Sequence, residues 1–113
     1  MKIKIRHNHW ITRLIKVGGI TIYPYILLRD QKGETKRSTY KHELHHTYQV
    51  QNVGWICFYL SYLIYYFAGL LRYKSWNHAY HEIPYEAEAY AIQDEPLTKM
   101  DLDILKNEGI YYE

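Results

Sequence analysis

The chain has 113 residues and a mass of 13.7 kDa, enough for one small domain with a modest core. Its single cysteine, Cys57, excludes an intramolecular disulfide framework and fits a buried thiol in a reducing, cytoplasmic setting. The net charge is +2, but residues 1–41 carry ten Lys or Arg against two acids, and residues 82–113 carry nine acids against two Lys. That acidic half opposes polyanion binding, so nucleic acid is not an expected partner. The two halves are either solvated faces of opposite sign, or the acidic part docks on the basic part, within the molecule or on a second copy. The N-terminus, M-K-I-K-I-R-H-N-H-W, is too polar for the apolar region of a signal peptide. Aromatics make up 17% of the chain and fourteen residues are Tyr, so rings with a polar end must build much of the interior.

Met1 to Arg6 alternates apolar and basic residues, the period of a strand with one wet face. Residues 10–17 read as a strand or a short helix, and Gly18-Gly19 as a turn. Ile20 to Leu28 is β-rich, with Pro24 placing it at an edge or a bulge. Arg29 to Gly33 predicts a tight turn and Glu34 to Arg37 a short returning strand. The N-terminal part is therefore expected to be a small, mostly antiparallel sheet.

Ser38-Thr39 is expected to cap a helix that runs to about Asn52 and ends at Gly54. Val53 to Leu71 is nineteen residues without a formal charge, long enough to span a bilayer. Four tyrosines in its middle argue against a single span, because their hydroxyls would have no partners there. The stretch reads instead as a buried or partly exposed helix, burying Ile56, Leu60, Leu63, Phe67 and Leu70. Its aromatic surface leaves room for weak or peripheral membrane association. Residues 73–82 read as irregular. Pro84 opens a further helix that ends before Pro96. Thr98 and Asp101 form a capping pattern for a short amphipathic helix that stops at Gly109.

The capped helix after the sheet carries His42-Glu43-Leu44-His45-His46. On a helix His42 and His46 differ by only about 40° around the axis, so both rings can bind one tetrahedral zinc ion. Glu43 lies beside them, placed to act as general base on an activated water without being a ligand. This is the H-E-x-x-H signature of zinc-dependent peptidases. His45, offset by about 60° from His42, points elsewhere. A third protein ligand is needed, and Glu86 and Glu88 on the helix after Pro84 are the candidates. Being two apart, about 200° around the axis, only one of them can face the metal.

His42-Glu43-Leu44-His45-His46, followed some forty residues later by Pro84-Tyr85-Glu86-Ala87-Glu88-Ala89, resembles the gluzincin metallopeptidases. At this length the chain is most similar to the minigluzincins, and the resemblance extends over nearly all of it. It implies an α+β fold, a thermolysin-like minimal zincin in which a small sheet packs on an active-site helix and a glutamate helix. It also implies kinship with membrane-embedded metalloproteases. The implied ligands are His42, His46 and Glu86, the last from the pattern E-x-x-A, with Glu43 as base and Zn2+ as cofactor. Where the thermolysin pattern has a second-shell acid this chain has Tyr90, so a phenol or another group must orient the histidine. The oxyanion donor is expected among His78, Tyr80, His81 and Tyr85, with His81 or Tyr85 preferred.

Minigluzincins also resemble latent enzymes, which implies a catalytic domain over residues 1–96 and an inhibitory segment over residues 97–113. That segment would cover the cleft in cis or across a homodimer. The expected function is thus zinc-dependent endopeptidase hydrolysis of a peptide or unfolded protein, with the edge strand before the metal helix receiving the substrate. The rival readings are a non-catalytic zinc module and a membrane-associated interaction protein held by residues 53–71.

Overall fold

In the computed structural model, residues 2–110 are described. The strand β1 (Lys4–Arg6) is followed by α1 (Trp10–Leu14), whose first turn is capped by the His9 ring, and then by β2 (Gly19–Ile22) and β3 (Tyr25–Leu28). β2 and β3 form an antiparallel hairpin around a cis Tyr23-Pro24 bond, which explains how a proline sits within a β-rich run. β1 pairs with β3 in parallel, so the three strands lie in the order β1-β3-β2 and the sheet is mixed. The expected mostly antiparallel sheet is corrected here. With α1 and β2 intervening, the chain returns along β3 in the direction of β1.

No strand forms over residues 34–37. The amides of Glu34 and Thr35 both donate to the Gln31 carbonyl, and α2 (Arg37–Val53) begins at once. Its N-cap is Lys36, which makes no side-chain cap, rather than Ser38-Thr39. The predicted end is correct, with Gly54 at φ 89°.

Three faces of α2 are covered. Leu44 and Tyr40 join Ile3, Ile5, Ile26, Leu28, Leu105 and Ile110 in the main core. Glu43 faces β2, and His42 and His46 face α5 (Pro84–Ile92), which starts at Pro84 as expected.

The core membership of Leu105 and Ile110 bears on the C-terminal segment. α6 (Lys99–Asn107) opens with the Thr98–Asp101 capping box and buries Asp101 and Leu105. Lys41 Nζ meets Asp101 at 2.8 Å, Tyr48 donates to the same carboxylate, and Glu108 accepts from the Ile5 amide. The described part of the segment expected to cover the cleft is therefore built into the core, because its apolar face completes the sheet and the Lys41–Tyr48 side of α2. Residues 111–113 of that segment lie outside the described residues. The expected partition at residue 96 does not coincide with a break in packing.

α3 (Trp55–Tyr73) is the nineteen-residue helix expected, but it presents the opposite face. Ile56, Leu60, Leu63 and Phe67 are exposed, whereas Phe58 and Gly69 are buried. The reason is polar. Tyr59 donates to the Thr21 carbonyl at 3.0 Å and accepts from the Tyr23 amide at 2.8 Å, while Ser61 bonds Tyr85 and Tyr62 bonds Glu86. Hydroxyls with partners in the body turn inward and leave the aliphatic ridge outside. Cys57, expected to be buried, is exposed on the same helix. α3 is long and apolar enough to cross a membrane, and 11% of its most apolar window is buried.

Residues 76–82, expected to be irregular, form α4 (Trp76–Glu82), capped by Ser75. A Cβ at Gly69 would lie 3.1 Å from the Ala79 Cβ, so glycine there lets α3 and α4 pack closely.

Candidate metal centre

One turn separates His42 from His46 on α2, and their rings meet edge to face at 4.9 Å. From α5, Glu86 Oε1 stands 3.0 Å from His42 Nε2 and 3.1 Å from His46 Nε2. The three donor atoms lie within 4.8 Å of one another, and all three residues are buried. Glu88, the other candidate, instead pairs with His45 at the surface. Of the two carboxylates two residues apart, Glu86 is the one that faces both imidazoles.

The outward nitrogens are held as well. His42 Nδ1 meets Gln93 Oε1 at 2.9 Å, and His46 Nδ1 meets Gln49 Oε1 at 2.8 Å. Gln49 donates its amide to the Tyr85 carbonyl and to Glu88, which leaves its oxygen to accept from His46. Nδ1 of His46 therefore carries a proton, and Nε2 is the nitrogen that faces Glu86. Tyr62 closes the outer side of the carboxylate, donating to Oε2 at 2.7 Å.

The electrostatics are compatible with a cation held by these three residues. Burial alone would raise Glu86, but the two histidines and Tyr62 outweigh it and hold the carboxyl well below the usual range. Burial alone would lower His46; the hydrogen bond to Glu86 and the charges of Glu43 and Glu86 instead push it up to about 9. An imidazole Nε2–H can hydrogen-bond the carboxylate, and a divalent ion bound by all three donors can take the place of such protons. The donors, two nitrogens and an oxygen with oriented outer partners, fit such an ion.

Glu43 stands apart from that group. Its Oε2 is 3.9 Å from His42 Nε2, and its Oε1 accepts from Thr21 Oγ1 at 3.0 Å. Burial raises its pKa above the ordinary carboxylate value. β2 comes close to it because Gly19 has no side chain; a Cβ there would lie 3.2 Å from the Glu43 Cγ. The site opens on a cleft with two parts, an apolar cavity of about 550 Å³ and a more polar one of about 890 Å³. Val17, Gly19, Glu43 and Tyr80 line both parts.

The other expected residues divide. Tyr90 touches the His42 ring edge to face at 4.6 Å, but the hydrogen bond that orients His42 comes from Gln93. His81 lines the polar cavity and stacks on Tyr90, with Nδ1 on the Asn77 carbonyl. The Tyr85 hydroxyl is taken up by Ser61 at 2.7 Å, and the residue lines neither cavity. Tyr80 is the better placed phenol, and burial pushes its pKa up so that it stays protonated.

Sequence reasoning missed Gln49, Gln93 and Tyr62. Gln93 lies seven residues after Glu86, two turns along the same helical face, and Gln49 lies three after His46. Those spacings were a readable signal for the first two. Tyr62 gave no such signal, since only the packing of α3 brings it there.

No family model, no curated protein and no solved structure matches the chain. The chemistry of the site therefore carries the functional reading.

Proposed function

We propose that this protein is a zinc-dependent peptidase of minimal gluzincin type, with His42, His46 and Glu86 as ligands and Glu43 as general base. The observation that carries the reading is the pairing of three converging buried donors with a second buried carboxylate, Glu43, held beside them. A purely structural zinc site is normally closed by four protein ligands; among the described residues this group has three. Imidazole and carboxylate donors suit zinc among the common divalent ions.

When bound, such an ion supplies Lewis acidity, polarising a carbonyl and making a water molecule easier to deprotonate. Glu43, with its pKa raised by burial, takes a proton from the attacking water and returns it to the leaving amine. Thr21 holds one Glu43 oxygen and leaves the other towards the histidines. Tyr80 and His81, both on the cleft wall, are the donors available to a developing oxyanion. β2 is an edge strand beside the cleft, and its Gly19 end, away from the Thr21 carbonyl and Tyr23 amide held by Tyr59, is where an extended polypeptide can pair with it.

Zinc content of the purified chain, compared with His46→Ala and Glu86→Ala, tests the ligands; loss of zinc in both variants is expected. Glu43→Gln should keep the metal and lose hydrolysis of an unfolded protein by about a hundred- to ten-thousandfold. Equal zinc in all three proteins would overturn the ligand set. Undiminished hydrolysis in Glu43→Gln would overturn the enzyme.

A further inference from the structure

Residues 1–29 and 44–81 contain no Asp or Glu, yet they hold eight Lys or Arg. The same two stretches hold every large hydrophobic side chain exposed among the described residues except Tyr90 and Met100. Four of those cations, Arg13, Lys16, Arg72 and Lys74, lie on or next to α1 and α3, which carry most of the bare apolar surface.

The apolar part is organised. Ile56, Leu60, Ile64, Phe67 and Leu71 follow helical spacing along α3 and are 58–82% exposed. They form a stripe about 22 Å long. Trp55, exposed, lies at its first end, Trp76, also exposed, packs beside the helix against Tyr66, and Arg72 and Lys74 lie at the second end. Across the cleft α1 presents Trp10, Leu14 and Ile15, with Arg13 and Lys16 among them. Ile15 and Lys16 share the polar cavity with Tyr66 and Trp76, and Val17 shares the apolar cavity with Trp55 and Leu63. Both rims of the cleft thus carry the same combination of aromatic, aliphatic and basic residues.

We propose that this face docks on the surface of an anionic bilayer, with α3 lying in the interfacial plane and the cleft opening towards it. Tryptophan at the margins, aliphatic residues between and lysine or arginine at the border are what an anionic interface attracts. α3 lies on the bilayer rather than crossing it. Its other face is tied to the body through Tyr59, Ser61 and Tyr62, and crossing would carry the Glu86 carboxylate towards hydrocarbon. A second copy is a poorer occupant, because a twofold contact would set the cations Arg13, Lys16, Arg72 and Lys74 against an identical group. If the peptidase reading holds, on which this last consequence rests, the substrate is polypeptide at a membrane surface.

Sedimentation of the full chain with vesicles decides the matter. Binding is expected with phosphatidylcholine containing phosphatidylglycerol, weaker binding with phosphatidylcholine alone, and release by high salt. Arg72→Gln with Lys74→Gln should weaken binding by about thirtyfold, each charge near the surface being worth about 1 kcal/mol. Leu60→Ser with Phe67→Ser, both at exposed positions, should weaken it at least about tenfold. Trp emission should shift to the blue on binding in the wild type. Absence of sedimentation with anionic vesicles overturns the proposal, as does unchanged binding by both double variants. A dimer that Leu60→Ser with Phe67→Ser dissolves, without vesicle binding, overturns it in favour of self-association. Glu43→Gln should sediment like the wild type, so failure of the hydrolysis reading leaves this result distinct.

Discussion

Gln49 accepts a hydrogen bond from Nδ1 of His46 at 2.8 Å, and that single contact decides which nitrogen of the ring faces Glu86. Replacing Gln49 by Leu should free the ring to turn and weaken metal binding by about ten- to a hundredfold. Gln93→Leu should do the same through His42. Competition with a chromophoric chelator measures both, and unchanged affinity in both would show that the rings are oriented by packing alone.

Removal of the ion should loosen the fold around α2 and α5, since three buried donors then share one cavity with uncompensated charge. With free zinc at a thousand times its Kd, binding adds about 4 kcal/mol of stability. Thermal melts with and without a chelator should differ accordingly. Coincident melts would mean that no ion is bound by the folded protein.

Gly19 is predicted to be a site where bulk affects chemistry before metal binding. A Cβ there meets Leu28 Cδ2 at 3.0 Å and the Glu43 Cδ at 3.3 Å, so valine must push the carboxylate from its place. Gly19→Val should retain its metal and lose turnover at least about tenfold. Loss of metal together with turnover would refute this separation of roles.

The Lys41–Asp101 pair sets an acid limit on the fold. Burial would raise the Asp101 carboxyl, but hydrogen bonds from Lys41, Tyr48 and the Thr98 backbone outweigh it and hold it below its ordinary value. A depressed folded pKa stabilises the protein above the unfolded value, near about 4, and that stability is lost as pH falls towards the folded value. Asp101→Asn leaves Lys41 buried without its partner and should cost about 3–5 kcal/mol at neutral pH. Urea titrations across pH should show a shallower acid slope in the variant.

Truncation after Glu95 should unfold the protein rather than activate it. Leu105 and Ile110 would leave the core, and a single such truncation to alanine already costs about 2–5 kcal/mol. Circular dichroism of the shortened chain checks this. A folded and more active product would restore the C-terminal segment as a removable cover.

The candidate metal centre was largely legible because its information is local. Spacing within one helix places His42, Glu43 and His46 before any tertiary contact exists, and Pro84 with a run of helix formers announces the element that brings Glu86. The capping pattern of Thr98 and Asp101 and the stop at Gly54 are local for the same reason. Between Glu86 and Glu88, periodicity says only that one must turn away; which one does depends on how α5 docks on α2.

Packing decided the remainder. Hydropathy assigned the inner face of α3 to its aliphatic ridge, because hydropathy does not register that a Tyr hydroxyl with a waiting carbonyl or carboxylate is content to be buried. Acidity and length suggested a detachable C-terminal segment, whereas Asp101 finds Lys41 and Leu105 finds the sheet across a separation that no local pattern encodes. Residue spacing along the chain determined which side chains could converge as metal ligands; only the folded arrangement decided which surfaces were left for anything else to meet, since burial depends on partners distant in sequence.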